Sequence, residues 1–235
     1  MSAQTEPGER TPLSRERVLQ CALALADRDG IAGLTIRTLA RELGSRPMSL
    51  YYYVANKERI LDGIVDLVFA EVHLPVIGNP WREEMLARAR SMREVLRRHP
   101  WAVGLLESRT SPGPATLRHH DATLGTLRTG GFTLRATAHA YALLDSYLYG
   151  FALQEAALPL SGAESVPDVA APIMEHFAGG QYPWMMEIAT GIVLQPGYDF
   201  GDEFDHGLGL ILDSIDPAER RAGPGEGAPA AGRPR

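Results

Sequence analysis

Apolar residues recur along this chain at spacings of three and four, with no convincing strand alternation, and this pattern predicts an all-α protein. After Ser14, a candidate N-cap, Val18, Ala22 and Leu25 share one helical face, and Gly30 is placed to stop that helix. Ile36, Leu39, Ala40 and Leu43 follow at i, i+3, i+4 and i+7, with Thr35 as a hydroxyl able to accept from an unpaired first-turn amide. Gly44 supplies a left-handed residue that ends the helix without a Cβ penalty, and Pro47 fits the first turn of the next one. That next helix is short, and Met48, Ser49, Tyr51 and Tyr52 include too many polar groups for a fully buried element. From Asn56, another candidate cap, the stripe Ile60, Ile64, Val65, Val68 and Phe69 predicts a fourth helix to about Val72, before Pro75, Gly78 and Pro80 break the chain.

The remainder is also helical in pattern. Trp81, Met85, Ala89, Met92 and Leu96 form one stripe, ended by His99-Pro100. Leu117, His120, Leu124 and Leu127 form a second before Gly130-Gly131, and Leu134, Ala138, Tyr141, Asp145 and Leu148 a third, on a long helix ending near Glu155. Pro159 to Pro172 is rich in Pro, Gly and Ser and reads as a loop. Phe200, Phe204, Leu208, Ile211 and Ile215 define a last helix whose Gly207 and Gly209 lower its propensity and so ask for close approach of another helix. The expected organisation is a flexible arm over 1–12, a helix-turn-helix domain over 13–73, a helical effector-binding and dimerisation domain over 74–216, and a disordered tail over 217–235.

Charge is distributed unevenly over this pattern. Residues 10–60 carry +4, residues 1–9 carry −2 and residues 61–235 carry −8, so a basic face stands at one end of a chain of net charge −6. A polyanion partner at that end is the implication. Helix, tight turn and exposed second helix over Thr35 to Lys57 form the geometry that presents a recognition helix to the major groove of DNA.

Composition narrows the classes. At 235 residues with 45% apolar and 22% charged content, one or two ordinary globular domains are expected. Cys21, the single cysteine, excludes an internal disulfide and a cysteine zinc site, and its neighbours Ala22 and Leu25 suggest packing. Residues 1–12 lack the apolar core of an export signal, and the longest apolar tract, Ala136 to Leu153, is interrupted by His139 and Asp145, so a cytoplasmic protein with no membrane contact is expected. An enzyme is not expected. There is no Gly-x-Ser-x-Gly elbow, no phosphate-binding Gly loop with Lys and no His-Glu-x-x-His pair. The Gly207 stretch GLGLIL lacks the third Gly of a dinucleotide motif, and adjacent His119 and His120 diverge on a helix, so neither a cofactor nor a metal is called for.

LTIRTLARELG followed by SLYYYVANKERIL resembles the N-terminal domain of the tetracycline-repressor family of transcription regulators, and YYYVANK is similar to the tetracycline-repressor branch itself. WREEMLARARSMREVLRRHPW, GFTLRATAHAYALLDSYLYGFALQE and FDHGLGLILDSI resemble that branch's ligand-binding and dimerisation domain, so the resemblance runs from about Leu13 to Ile215. It implies a homodimer built on the long helix and the last helix, two recognition helices about 34–36 Å apart, and a near-palindromic operator. A monomeric bundle with the same stripes is the competing arrangement.

Carried onto matching positions, the resemblance makes Arg37 a base- or phosphate-reaching arginine, against a plain solvated helix face. Arg46, Pro47, Met48 and Ser49 occupy the start of the recognition helix, where contact with base edges is feasible. Tyr51 and Lys57 match phosphate-holding positions; Tyr52 is also a candidate, although of Tyr52 and Tyr53 one is expected to pack. Arg46 and Ala55 depart from the family pattern, so the operator is this chain's own.

For the small-molecule effector, Met85, Met92, Trp101, His120, Tyr141, Asp145 and Tyr149 are candidates to line a cavity with apolar walls and a few polar groups. Tetracycline-responsive members hold a magnesium-bound drug with a His before the seventh helix. Here AVGLLESRTSPGP has Leu106 and Glu107 instead, so magnesium–tetracycline is not the expected ligand. The expected function is a ligand-responsive repressor; the alternative is an all-helical small-molecule- or partner-binding protein that does not read DNA specifically.

Overall fold

A computed structural model describes residues 12–106, 108–157 and 181–215, and these residues are helical with no strand among them. The expected loop over 159–172 and the expected tail over 217–235 lie outside the described residues, as does the arm except for Pro12. The chain divides into two compact units: the part up to Val72 together with Arg98–Arg118, and His73–Arg97 together with the part from His119 onward.

Four helices open the first unit: α1 (Arg15–Gly33), α2 (Ile36–Glu42), α3 (Pro47–Leu50) and α4 (Lys57–Ala70). Their starts follow from local chemistry. Ser14 accepts from the Arg17 amide at 3.2 Å and Asn56 from the Arg59 amide at 2.9 Å. Thr35 and Thr38 form a reciprocal box: each hydroxyl accepts from the other's amide, at 3.1 and 2.9 Å. Such a cap is worth about 1 kcal/mol, a large share for a seven-residue helix. Gly30 has φ 69°, which breaks the regular course of α1 one turn before its end, and Gly44 has φ 60° at the turn after α2.

An isolated helix of four residues has no stability of its own, so α3 depends on its anchor. Leu50 is fully buried and Val54 nearly so. Burying such a leucine stabilises by roughly 1.5–3 kcal/mol. Beneath them Val18, Leu19, Ala22, Leu25 and Ala26 of α1 and Ile60, Leu61, Ile64, Val65 and Val68 of α4 are buried. The two helices pass so closely at Gly63 that a Cβ there would stand 2.5 Å from Leu19 Cδ2.

The returning segment Arg98–Arg118, with a 3-10 turn at Pro100–Ala102 and α6 (Val103–Leu106), is held to this unit by carboxylates of α1 and α4. Asp27 receives His99 Nδ1 at 2.6 Å and the Trp101 indole N–H at 2.7 Å. Arg109 donates to Asp62 at 2.8 Å and to Glu58 at 2.6 Å, and the Thr116 amide and hydroxyl donate to Asp66 at 2.8 and 3.0 Å.

In the second unit α5 (Trp81–Arg98), α7 (Pro114–Thr129), α8 (Leu134–Ala157) and α10 (Glu203–Ser214) carry the core; α9 (Pro183–Ile188) runs into a π-helical turn, Ala189–Val193. Met85, Ala89, Met92 and Leu96 are buried on α5 as the stripe predicts, with Val95 beside them, while Trp81 is half-buried. On α7 the expected face holds only in part. Leu127 is buried and His120 half-buried as expected, but Leu117 is 55% and Leu124 36% exposed, while His119, Ala122, Thr123 and Thr126, off that face, are buried. The reason is visible at Thr123, whose hydroxyl donates to the His119 carbonyl of its own helix at 2.7 Å and so enters the core with its hydrogen bond made. On α8 Asp145 and Leu148 are buried as expected, but the expected inward residues Leu134 and Ala138 are exposed, whereas Ala136, Thr137, Ala140, Leu144, Phe151 and Ala152 are buried.

Gly207 is explained by contact within the chain, since a Cβ there would collide with the Tyr147 hydroxyl, which donates to the Phe204 carbonyl at 3.0 Å. Gly209 meets nothing within 4 Å. Phe151 stacks on Phe200 at 4.7 Å and meets Phe204 edge-on at 5.0 Å, with the Arg93 guanidinium over the Phe151 and Phe204 rings.

Gly63→Val overpacks the α1–α4 contact against Leu19, and a loss of roughly 1–3 kcal/mol is expected in urea unfolding. Adding Leu19→Ala should return part of that loss; a strictly additive or worse double variant would show that the contact is not the cause.

Candidate functional site

The outer surface of α2 and α3 collects charge and aromatic rings. Arg37 and Arg41 stand one turn apart on α2 and both are exposed. Arg46 precedes α3 as its N-cap; Pro47, Met48 and Ser49 form its exposed start, with Met48 78% exposed while Leu50 points inward. Tyr51 is exposed and Tyr52 is 88% exposed; Tyr53 is half-buried and meets Tyr52 edge-on at 5.2 Å. Of the two tyrosines for which packing was expected of one, Tyr53 is therefore the packed residue. Lys57, exposed, begins α4.

The basic residues here fall into two groups. Arg28 is bound to Asp29 and Glu42, both at 3.1 Å, and Arg59 to Asp62 at 3.4 Å. Arg37, Arg41, Arg46 and Lys57 form no ion pair among the described residues. Their charge is uncompensated at contact distance on the face where α3 is exposed. Arg41 is absent from the sequence-based set, although its place four residues after Arg37 was a signal for it.

A second constellation lies inside the second unit. Arg88 of α5 is 1% exposed, and its Nη2 donates to Asp145 Oδ1 on α8 at 2.6 Å. Burial works against the guanidinium charge, but Asp145 and the nearby Tyr149 and Tyr141 outweigh it, so its pKa is raised. The Tyr141 ring centre lies 6.0 Å from the guanidinium carbon, and its hydroxyl is hydrogen-bonded to His120 Nδ1. His119 on α7 is buried, and burial followed by the charges of Arg88, His120 and His73 pushes its pKa down to about 3, so the ring is neutral.

Six of the seven sequence-based effector candidates, Met85, Met92, His120, Tyr141, Asp145 and Tyr149, belong to this unit. Met85 and Met92 flank Arg88 on the buried face of α5, and Tyr141, Asp145 and Tyr149 succeed one another at i, i+4 and i+8 on α8. Trp101 belongs to the first unit, where its indole N–H donates to Asp27. Arg88, His119 and Thr126 were missed. An arginine in the middle of the Met85–Met92 stripe was the available signal for the first; for the buried histidine and threonine the sequence offered none, because both sat off the expected face of α7.

Outside this cluster, Glu84 closes the turn before α5, accepting from Asn79 Nδ2 at 2.7 Å and the Val76 amide at 3.1 Å and pairing with His73 at 2.8 Å. Asn79 first and His73 next hold its carboxyl below the usual range. Burial, followed by Glu42, pushes the half-buried Cys21 thiol up, which disfavours the reactive thiolate. Among the described residues no group of three or more His, Cys, Asp or Glu is placed to hold a metal, and no helix is long and apolar enough to cross a membrane.

An N-terminal helix-turn-helix with uncompensated cations on its exposed face, in an otherwise acidic all-helical chain, defines a regulator of the DNA-binding helix-turn-helix class. Comparison with known proteins places it more closely. Residues 74–217 match the family of tetracyclin repressor-like C-terminal domains. The chain is 34% identical to the HTH-type transcriptional repressor DrrR1 of Streptomyces coeruleorubidus, over 94% of this chain and 84% of that protein. It is 28% identical to the class A tetracycline repressor of transposon 1721 from Escherichia coli, over 90% of this chain and 93% of that one. Among solved structures, the Streptomyces coelicolor TetR family protein ActR in complex with (S)-DNPA aligns with a TM-score of 0.71 at 26% identity, covering 87% of this chain and 98% of that one. The chain belongs to the tetracycline-repressor family.

The buried His119 makes stability depend on pH in a definite direction. Unfolded, it takes up a proton as pH falls through about 6.5, whereas folded it resists protonation to about 3. Its contribution is therefore complete above about pH 6.5 and is lost as pH falls below it, at up to about 1.4 kcal/mol per pH unit. Between pH 7.5 and 5.0 the protein should lose roughly 1–2 kcal/mol more than a His119→Leu variant in urea unfolding; parallel pH profiles would contradict this assignment.

Proposed function

We propose that the chain is a homodimeric repressor that binds a near-palindromic operator through α2, α3 and the start of α4 and leaves it when a small-molecule effector enters the second unit. The observation that carries the reading is the set of exposed cations that form no ion pair among the described residues, Arg37, Arg41, Arg46 and Lys57, around an α3 anchored by the buried Leu50. Arg37 reads a base edge, Pro47, Met48 and Ser49 meet the groove, and Tyr51, Tyr52 and Lys57 hold phosphates; Arg46 contributes specificity of this chain's own. The protein acts in the cytoplasm and performs no reaction of its own.

Dimerisation through α8 and α10 is supported by the faces those helices leave open. Leu143 and Leu153 of α8 and Leu210 of α10 are exposed, and among the described residues nothing lies within 4 Å of a notional Cβ on Gly150 or Gly209. Small and apolar residues on a helix face permit close approach of a second copy. Leu153→Glu combined with Leu210→Glu should shift the protein to monomer in sedimentation and weaken operator binding at least tenfold; a stable dimer in that variant would move the interface elsewhere.

Binding to the upstream intergenic DNA of the chain's own gene, measured by fluorescence anisotropy across a salt series, tests the DNA reading. Arg37→Ala should relax base preference and cost about 1–3 kcal/mol on the preferred sequence. Lys57→Ala should weaken all sequences alike and lower the log–log salt slope by about one. Weak binding that ignores sequence in every promoter fragment would overturn the repressor reading.

A further inference from the structure

Among the arginines of α5 that pair with carboxylates of the second unit, Arg88, Arg90 and Arg93 do so in two different ways. Arg90 closes a full fork on Asp205, with Nε at 2.9 Å and Nη2 at 3.1 Å on separate oxygens, and Arg93 does the same on Glu155 at 3.1 and 2.6 Å. Both pairs retain solvent access. Arg88 and Asp145 are the buried pair, with side chains 1% and 9% exposed, and they close one arm only: Nη2 donates to Oδ1 at 2.6 Å. The Arg88 Nε–H and Asp145 Oδ2 are buried with no hydrogen-bond partner among the described residues, as is the Thr126 hydroxyl on α7. Interior polar atoms are normally paired, and an open donor and acceptor on a charged pair are the costliest to leave so.

The chemistry of an occupant follows from what is open. The pair is already neutral as a unit, so an ionised ligand would bring an unbalanced charge into a buried site. A guanidinium can only donate and a carboxylate oxygen can only accept, so the occupant needs an acceptor for Arg88 and a donor for Asp145. The 2.6 Å contact between Nη2 and Oδ1 joins the two groups that carry the open atoms, so the acceptor and donor of one small ligand can serve both. Met85, Ala89 and Met92 flank Arg88, and Leu144 and Leu148 flank Asp145, all buried, which calls for an apolar body.

We propose that the effector is an uncharged, largely apolar hydroxy-ketone whose carbonyl oxygen accepts from Arg88 Nε–H and whose hydroxyl donates to Asp145 Oδ2. The assignment rests on the reading that the second unit takes a small-molecule effector, and it adds the ligand class and its two principal contacts.

The test uses the full chain and matched probes in isothermal titration. Benzoin is compared with deoxybenzoin, which lacks the hydroxyl, with benzoin methyl ether, which cannot donate, and with benzilate, which is an anion; 2-hydroxy-1-tetralone against 1-tetralone repeats the comparison on a second ring system. On at least one ring system the hydroxy-ketone should bind at least tenfold more tightly than its matched controls. Asp145→Asn places an amide donor where Oδ2 accepted, so that variant should prefer benzil, which only accepts, over benzoin. Equal binding of the deoxy compounds, tightest binding of benzilate, or no binding of either hydroxy-ketone would overturn the assignment. If Asp145→Asn does not fold, the selectivity of the unaltered protein decides. Operator binding of the ligand-free protein is measured alongside: its absence defeats the regulator reading alone, and its presence with unselective probes defeats the ligand assignment alone.

Discussion

The buried pair of Arg88 and Asp145 constrains how the second unit is built. An arginine inside a helical core is tolerable only where an opposite charge is brought to it, and that requirement sets the register of α8 against α5. The same helix reaches α10 through Arg82 and Arg90, on Asp213 and Asp205, and the far end of α8 through Arg93 on Glu155. Hydrophobic burial brings these helices together without saying which turn meets which. The arginine pairs do, and the stack of Phe151, Phe200 and Phe204 beneath Arg93 joins charge to packing in one place.

Charge serves the first unit differently. Asp27, Asp62 and Asp66 hold the returning segment, and Asp29 and Glu42 occupy Arg28, so these carboxylates are committed internally. Arg37, Arg41, Arg46 and Lys57 are left over. A local excess of cations is useful for binding a polyanion only if the fold does not neutralise it. Here internal pairing spends the acids on architecture and leaves the cations of α2, α3 and the start of α4 facing outward.

Much of the first unit was legible from residues alone, because its signals are local. Ser14, Thr35 and Asn56 cap the helices they precede, Gly44 turns, and Pro47 opens α3, each within four residues of its partner. The stripe on α5 was equally plain. On α7 and α8 apolar spacing finds only part of the inward face: Leu127, Asp145 and Leu148 are buried as expected, but threonines and a histidine are buried too while Leu117, Leu124 and Leu134 are not. A threonine that bonds its own helix is nearly as easily buried as a valine, and single-helix periodicity does not register that difference.

Candidate chemistry divided along the same line. Met85, Met92 and Asp145 were recognisable as inward residues, yet Arg88, the partner that gives Asp145 its meaning, read as one more charge on a helix rich in arginine. Trp101 looked equivalent to the other aromatic candidates until Asp27, distant in sequence, claimed its indole. The chain by itself determined where helices begin and end, that one end is basic, and that a short exposed helix follows a glycine turn, since all of these depend on neighbours a few residues apart. Only the tertiary structure decided which charges are spent and which are free, which face of α7 is inside, and which carboxylate meets the buried arginine, because each depends on the residue a distant helix brings to it.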